Sequence, residues 1–427
     1  MAISPGVDVT SEHEVTADGA SVSRTRMIVV LGALVALGPL TLDLYLPALP
    51  RITEELSVTS SVTQLTLTGT LAGLAFGQLI VGPLSDSLGR RKPLIVGIVL
   101  HMLASVVCLL APNITVLGIG RVLQGIGASA AMVVAIAVVG DLFADSAAAT
   151  VLSRLMLVLG VAPVVAPSLG AAVLLHASWH WVFGVLVVLA GGLLMVAALA
   201  LPETLAPSHR RPLRLDAVAS TYVELLRDAR FVILVLVAGL AMSGLFAYIS
   251  GASFVLQGSY GLDQQVFAIV FGAGAITFIT ASQFNVVLLK RFSPQIIVLW
   301  ALAAAVVAGA TFVGLALAHV GGLPGFLLPV WSILAAMGLV IPNAPAMALS
   351  RHPDAAGTAA ALLGAAQFGI GAAVAPLVGV LGNTELALAA VMTTGAVVAL
   401  LALVTVIRRT EAAPASSGRV VPPCACP

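Results

Sequence analysis

Two ionisable residues of opposite charge lie well inside apolar stretches of this sequence. Asp43 stands near the end of the first apolar stretch and Arg121 near the start of the fourth. If these stretches cross a membrane in opposite directions, both side chains lie about 10 Å below the same surface. Ionisable groups at that depth are costly and are functional candidates by default. Burial favours a neutral carboxyl group and a nearby cation favours the charged form. An acid whose surroundings alternate can therefore take up a proton on one side and release it on the other.

Equal depth and opposite charge predict that Asp43 and Arg121 form a pair, or become partners in alternation. Two structural alternatives stay open. Asp43 could be permanently neutralised by Arg121, and Arg121 could pack between helices with its guanidinium bonded to backbone carbonyls. Gln124 follows three residues later and therefore shares a helix face with Arg121. His101 has no acid at helical spacing, so we expect a packed or cavity-facing neutral histidine.

Other polar residues inside apolar stretches are candidates for a cavity. They belong to the first, seventh, tenth and eleventh stretches: Tyr45, Tyr248, Asn343 and Gln367. Each could line a cavity or cap broken backbone hydrogen bonds, and the sequence does not choose between these.

Composition places the chain in a membrane. Of its 427 residues, 60% are hydrophobic and 9% charged, and the mean hydropathy is +1.13. So few charges cannot cover a soluble domain, so we expect a polytopic membrane protein. A formal net charge of +1 argues against a nucleic-acid partner. The chain has no phosphate-binding glycine loop and no metal-ligand spacing, so we expect neither an enzyme nor a cofactor. The spans also lack the polar or charged rings expected of a channel.

About twenty apolar residues cross a bilayer. That length predicts twelve spans, at 27–48, 62–84, 93–111, 115–139, 149–175, 181–201, 231–256, 264–289, 294–318, 323–349, 355–381 and 385–407. Arginine and lysine concentrate in alternate connections, which predicts that both termini are cytoplasmic. The organisation predicted is a disordered cytoplasmic tail at 1–26, a six-span bundle at 27–201, a cytoplasmic linker at 202–230, a second bundle at 231–407 and a cytoplasmic tail at 408–427.

The stretch from Gly82 to Lys92 is a short charged connection between the second and third spans. Gly82 and Gly89 allow tight turns, and Asp86 can accept from backbone donors or pair with a neighbouring arginine. The order Gly82-Pro83-Leu84-Ser85-Asp86-Ser87-Leu88-Gly89-Arg90-Arg91-Lys92 resembles the signature found at this position in the major facilitator superfamily.

Other motifs resemble one branch of that superfamily, the twelve-span drug–proton antiporters for bicyclomycin and chloramphenicol resistance. The first span carries Leu42-Asp43-Leu44-Tyr45-Leu46-Pro47-Ala48-Leu49-Pro50, and the fourth carries Arg121-Val122-Leu123-Gln124-Gly125-Ile126-Gly127-Ala128. The fifth span carries Gly160-Val161-Ala162-Pro163 and Pro167-Ser168-Leu169-Gly170, similar to the branch's glycine–proline antiporter signature. The eleventh carries Gly357-Thr358-Ala359-Ala360-Ala361-Leu362-Leu363-Gly364.

The resemblance implies an all-α membrane protein of the major facilitator fold, with twelve transmembrane helices in two six-helix bundles. Spans one, four, seven and ten would line the cavity between the bundles. It also implies that Asp86 and Arg90 form an inner gate, with Gly82 and Gly89 at its turns. Gly160, Pro163, Pro167 and Gly170 would serve the conformational change.

These observations lead to one functional hypothesis, a proton-coupled exporter of small amphipathic compounds in a bacterial cytoplasmic membrane. Asp43 would carry the proton, Arg121 would tune it and Gln124 would lie beside the substrate. The expected partners are a small-molecule substrate, protons and the lipid bilayer, with a monomeric chain and the proton gradient in place of a cofactor. A proton symporter importing a sugar, amino acid or other nutrient is the alternative, and a non-transporting membrane sensor is a more distant one.

Overall fold

The computed structural model describes residues 13–15, 21–143, 145–210, 214–352 and 355–411. Within these residues, twelve helical segments are long and apolar enough to cross a membrane. The predicted all-α membrane fold and the predicted number of spans are confirmed.

Seven helices form the first half of the chain: α1 (Arg24–Asp43), α2 (Leu49–Glu55), α3 (Ser60–Leu88), α4 (Arg91–Leu109), α5 (Ile114–Leu142), α6 (Asp145–Leu174) and α7 (His180–Ala200). The predicted linker contains α8 (Leu215–Arg227). The second half consists of α9 (Ala229–Phe254), α10 (Gln264–Leu288), α11 (Pro294–Ala318), α12 (Gly322–Leu349), α13 (Ala356–Val374), α14 (Leu377–Val380) and α15 (Glu385–Glu411).

The N-terminal tail differs from its predicted disorder where it is described. Two short strands, β1 (His13–Val15) and β2 (Ser21–Ser23), pair antiparallel, and α1 begins directly after them at Arg24. The pairing sets Glu14 opposite Val22. Residues 1–12 and 16–20 of the predicted tail, and residues 412–427 of the C-terminal one, lie outside the described residues.

Side-chain caps fix where several spans begin at the membrane surface. Thr59 accepts a hydrogen bond from the amide of Val62 at the start of α3, and Asn113 accepts from Val116 at the start of α5. Asp263 does the same at the start of α10. Each cap satisfies a backbone donor that the helix leaves unpaired, so it fixes the residue at which the helix begins.

The two halves meet along two helix pairs, α3 with α13 and α6 with α10. These pairs are equivalent in a six-plus-six duplication, in which the second span corresponds to the eighth and the fifth to the eleventh. We call the end of the bundle with residues 44–60, 110–113 and 381–384 the outer end, following the predicted orientation, and the opposite end the inner end.

Polar contacts close the outer end between the halves. Gln64 on α3 donates to the carbonyl of Ser250 on α9, at 3.1 Å, and to Oδ1 of Asn383, at 2.6 Å. The hydroxyl of Ser253 donates to the carbonyl of Leu46 at 2.6 Å. These bonds connect the segment after α1 to α9, so the first and seventh spans are held together at this end.

Two glycines allow the closest approach of helices within the first half. A Cβ on Gly73 of α3 would overlap the carbonyl oxygen of Val122, and one on Gly125 of α5 would overlap that of Thr70. Helices in membranes use small residues in this way to bring their backbones together. Gly125, part of the motif quoted for the fourth span, thus has a packing role.

Gly125→Ala is expected to destabilise the protein by about 1–3 kcal/mol, because the methyl group meets backbone that cannot move aside. Gly118→Ala is the matched control, since a Cβ at Gly118 on the same helix meets nothing within 4 Å. The control should be neutral, or stabilising by up to about 1 kcal/mol. Thermal unfolding of the purified proteins in detergent measures both, and equal midpoints for the two variants would contradict the assignment.

Candidate transport site

The first span is broken next to its acid. Helix α1 ends at Asp43, and a single 3₁₀ turn, Leu46–Ala48, follows before α2 starts at Leu49. Pro47 and Pro50 lack backbone donors and keep the chain from continuing as one α-helix. The break lets another helix approach closely, since a Cβ on Gly170 of α6 would overlap the carbonyl oxygen of Leu44.

Asp43 is buried at this break without a compensating partner. Only 2% of the residue is exposed, and its Oδ1 has no hydrogen-bond partner. A charged carboxylate in such a place would be very costly, whereas the protonated acid is far less so. The geometry therefore suits the proton-bound form of Asp43.

Arg121 is fully buried in a polar network around the break. Its Nη1 donates to the carbonyl of Thr41, in the last turn of α1, and to Oε1 of Gln124, both at 2.9 Å. The guanidinium carbon lies 4.0 Å from the centroid of the Tyr45 ring and 5.7 Å from that of Phe183. Aromatic faces stabilise a buried cation, so Arg121 is held without a carboxylate.

The network continues from Arg121 into α4. Gln124 Nε2 donates to the hydroxyl of Ser105 at 2.8 Å, and that hydroxyl donates to the carbonyl of His101 at 2.7 Å. Nε2 of His101 lies 2.8 Å from the hydroxyl of Thr41. His101 is thus a packed histidine, one of the two alternatives that the sequence left open.

The direct pair between Asp43 and Arg121 is absent in this conformation. Among the described residues, no carboxylate oxygen lies within 4.0 Å of the Arg121 guanidinium. The alternative in which Arg121 bonds a backbone carbonyl describes the observed contact with Thr41. Nevertheless Nε and Nη2 of Arg121 have no partner, as Oδ1 of Asp43 has none. Both residues retain the atoms that a pair in another conformation would use.

The structure places the remaining cavity candidates in different surroundings. Gln124 and Tyr45 are buried in the Arg121 network, and Asn343 donates to Oδ1 of Asn285 at 2.7 Å and to a backbone carbonyl in its own helix. Tyr248 is buried with its hydroxyl unpartnered. Gln367 is half-buried on α13. Contact of these five residues with a substrate stays a prediction.

The charged connection after the second span is not a loop. Helix α3 continues to Leu88 with Pro83 inside it, so Gly82 is helical and the turn predicted there is wrong. The turn occurs at Gly89 alone, whose φ of +89° favours glycine. Asp86, in the last turn of α3, forms an ion pair with Arg90 beyond the turn at Gly89, so the pair connects the end of α3 to the start of α4.

Arg90 has a second and better-buried partner that the sequence analysis missed. Its Nε lies 2.8 Å from Oδ2 of Asp141 at the inner end of α5, and that oxygen also accepts from the hydroxyl of Thr204 at 2.9 Å. Burial opposes the charge on Arg90, but the bonds to Asp141 and Asp86 outweigh it and raise the pKa of the guanidinium. The feature of the sequence that could have identified this partner is an acid at the inner end of the fourth span.

Glu203, at the start of the predicted linker, caps α4. Its carboxylate accepts from the backbone amides of Arg90, at 2.8 Å, and Arg91, at 3.3 Å. A Cβ on Gly89 would collide with this carboxylate, which is a second reason for a glycine at this position. The sequence left two roles open for Asp86, accepting from backbone donors or pairing with a neighbouring arginine. The structure shows the pairing with Arg90, and the backbone amides are bonded to Glu203.

Asp141→Asn is expected to destabilise the protein more than Asp86→Asn. The Asp141 carboxylate serves both Arg90 and Thr204 in a half-buried place, so its loss should cost about 1–3 kcal/mol. The side chain of Asp86 is 47% exposed, and an exposed ion pair contributes less than about 1 kcal/mol. Unfolding midpoints of the two matched variants test this order. A lower midpoint for Asp86→Asn than for Asp141→Asn would show that Asp86 is the main partner of Arg90.

The glycines and prolines of the fifth span lie on α6, where it meets the second half. Pro163 and Pro167 are inside the helix. A Cβ on Gly160 would come 3.0 Å from Ile279 on α10, across the junction of the halves. Gly170 faces the break in α1 described above. All four thus lie on a helix that contacts both α10 and the break in α1, while their part in a conformational change stays a prediction.

One ionisable residue was overlooked inside a predicted span. Arg154 falls in the fifth span, near its inner end, and is exposed. It lies where an arginine side chain can reach the membrane surface, so it does not join the buried charges of Asp43 and Arg121.

Twelve spans in two matched halves, with a buried acid at a helix break, define a helical membrane protein of the transporter class. The chain belongs to the Major Facilitator Superfamily, whose family model matches residues 30–376. The resemblance stated from the motifs is thereby confirmed.

Several curated proteins are similar along most of their length. An uncharacterized MFS-type transporter, YdgK, of Bacillus subtilis is 39% identical over 385 residues, covering 89% of this chain and 94% of that protein. A bicyclomycin resistance protein homolog of Haemophilus influenzae is 32% identical, covering 82% and 88%. A chloramphenicol resistance protein of Pseudomonas aeruginosa is 31% identical, covering 80% of each chain.

The solved structures support the fold. A partially occluded, inward-open structure of the xylose transporter XylE from E. coli matches with a TM-score of 0.66 and 14% identity, covering 89% of this chain and 97% of that one. At this identity the likeness concerns the fold alone.

Proposed function

We propose that this chain is a proton-coupled antiporter that exports small amphipathic compounds across a bacterial cytoplasmic membrane, with both termini inside. The observation that carries the proposal is the buried, unpartnered carboxyl group of Asp43 at the break in α1. Similar proteins named for resistance to bicyclomycin and chloramphenicol support the direction of transport and the class of substrate.

Asp43 and Arg121 supply the coupling by alternation. In the conformation described here Asp43 suits a bound proton, and Arg121 is occupied by Thr41, Gln124 and Tyr45. A rearrangement of the break that brings Asp43 to the free Nε or Nη2 of Arg121 would favour the carboxylate and release the proton. One carboxyl group thus carries one proton in each cycle.

The gate cluster, consisting of Asp86, Arg90, Asp141 and Glu203, couples the inner end to this change. It joins the ends of α3, α4 and α5 to the first residues of the linker. Since the linker leads into the second half, movement of one half relative to the other would alter these bonds.

Inside-out membrane vesicles with an acidified interior and a pH dye test the proposal. Neutral and cationic drugs, sugars and amino acids are added singly to vesicles with the wild-type protein and to vesicles without it. We expect a drug to release lumenal protons only where the protein is present. Uptake of a nutrient together with protons by whole cells, with no response to any drug, would instead establish the symporter, and no flux in either assay would favour the sensor.

A further inference from the structure

An apolar groove lies on the membrane-facing surface of the second half, towards the inner end. Helices α10, α11 and α12 form it, and it encloses about 610 Å³, a volume typical of ligand sites. Alanines from all three helices line it, and large side chains beside them are exposed, Phe292 by 49% and Trp300 by 71%. An empty groove would lose dispersion contacts along its lining, so we expect an apolar occupant.

The groove extends from the inner end of the bundle to the middle of the membrane. Phe292 lies in the connection between α10 and α11, at the inner end. By helix rise, Ala304 lies about 15 Å from the start of α11, and Ser332 about 15 Å from the outer end of α12. The hydrocarbon core of a bilayer is about 30 Å thick, so the groove has the length of the acyl chains of one leaflet.

Two cations stand at the inner mouth of this groove. Lys290 and Arg291 directly precede Phe292, and both are exposed. Among the described residues neither takes part in an ion pair, and residues 281–304 contain no Asp or Glu. Helix α11 begins directly beyond them, and in the part of the chain described no side chain caps its first turn. The unpaired amides and the positive end of the helix dipole add to the attraction for an anion.

We propose that this groove binds an anionic phospholipid of the cytoplasmic leaflet. One acyl chain would lie along the alanines, and the phosphate would pair with Lys290 and Arg291. The inference rests on the proposed orientation of the chain for the choice of leaflet, and it does not depend on proton coupling. A second copy of this chain is a poorer occupant, since a two-fold axis along the membrane normal would bring the same cations together.

Native mass spectrometry of the full-length protein in a neutral detergent tests the site. The probes are dioleoylphosphatidylglycerol and dioleoylphosphatidylcholine, which have the same chains and differ in net charge, added together at equal concentration. Each cation near a membrane surface favours an anionic lipid by about fivefold, so we expect the first phosphatidylglycerol to bind at least about tenfold more tightly. Glycerol 1-phosphate, which carries the phosphate without the chains, should not displace it.

The double variant Lys290→Ala, Arg291→Ala removes both cations and keeps the groove. It should reduce the preference for phosphatidylglycerol to below about twofold. The control is Lys92→Ala, Arg227→Ala, which removes the same charges from exposed positions elsewhere at the inner end. The control should keep the preference of the wild type.

Ala304→Phe is the complementary variant, because it fills the groove and keeps both cations. Each buried methylene of the chain contributes to binding, so we expect phosphatidylglycerol to bind about fivefold or more weakly. Ala310→Phe is its control, since Ala310 is exposed on the outer part of the same helix and does not line the groove.

Equal binding of the two lipids by the wild type would overturn the proposal. Equal losses in the two double variants would indicate diffuse attraction by the inner surface, and unchanged lipid binding by Ala304→Phe would place the chain elsewhere. Either result would overturn it too, as would a dimer mass that Ala304→Phe removes. Because the assay uses no gradient and no transported compound, its failure leaves the antiporter intact, and failure of the vesicle assay leaves the lipid site intact.

Discussion

Asp43→Asn is expected to reduce drug-driven proton release in inside-out vesicles to below about a tenth of the wild-type signal, since it removes an ionisable group at membrane depth. Asparagine has nearly the same shape but cannot titrate. The wild-type carboxyl group has no partner at Oδ1, so the substitution breaks no observed bond there. We therefore expect normal folding and expression, with the coupling alone lost.

Two comparisons sharpen this experiment. Asp216→Asn is the control, because Asp216 is an exposed acid that pairs with Arg214 on the linker, and its release should equal that of the wild type. Asp43→Glu keeps a titratable group and should retain part of the signal. Undiminished proton release by Asp43→Asn would show that another residue carries the proton.

Arg121→Ala is expected to have the largest effect on stability, a loss of about 3 kcal/mol or more, because bonds to a buried charged group are the most costly to remove. The substitution leaves the Thr41 carbonyl and Oε1 of Gln124 without the donor they now share, and it opens a cavity over the Tyr45 ring. Expression level and the thermal midpoint in detergent measure the effect.

Arg121→Lys separates the charge of Arg121 from its geometry. Lysine keeps the cation but cannot bond Thr41 and Gln124 with the same planar fork, so we expect an intermediate midpoint and slower proton release. Arg214→Ala, in an exposed ion pair, should stay within about 1 kcal/mol of the wild type. A midpoint for Arg121→Ala equal to that of Arg214→Ala would contradict the network described here.

The two halves are thus unequal in chemistry although their spans match. The first half holds the buried acid and the buried arginine around the break in α1. In the second half, the hydroxyl of Tyr248 and Nε1 of Trp331 are buried without partners beside Gly274.

The sequence by itself determined the number of spans, the class of fold and the most unusual residues. Span length and hydropathy are local properties, because a bilayer imposes the same thickness on every segment. Asp43 and Arg121 were identified for a similar reason, since a charge inside an apolar stretch is rare whichever way the side chain points. The superfamily motifs around Gly82–Lys92 and in the first, fourth and fifth spans could be recognised because they too are local patterns of residues.

Only the tertiary structure decided which of these residues touch. Depth along a helix does not fix the direction in which a side chain points around the helix axis. Equal depth therefore predicted a pair between Asp43 and Arg121 that the structure does not contain. Arg121 instead bonds the Thr41 carbonyl, which is available because α1 ends two residues later. Packing of distant helices likewise brought Asp141 and Glu203 to Arg90, and Tyr248 and Trp331 to Gly274. Such contacts arise from helix rotation and helix breaks, which no local pattern in the sequence specifies.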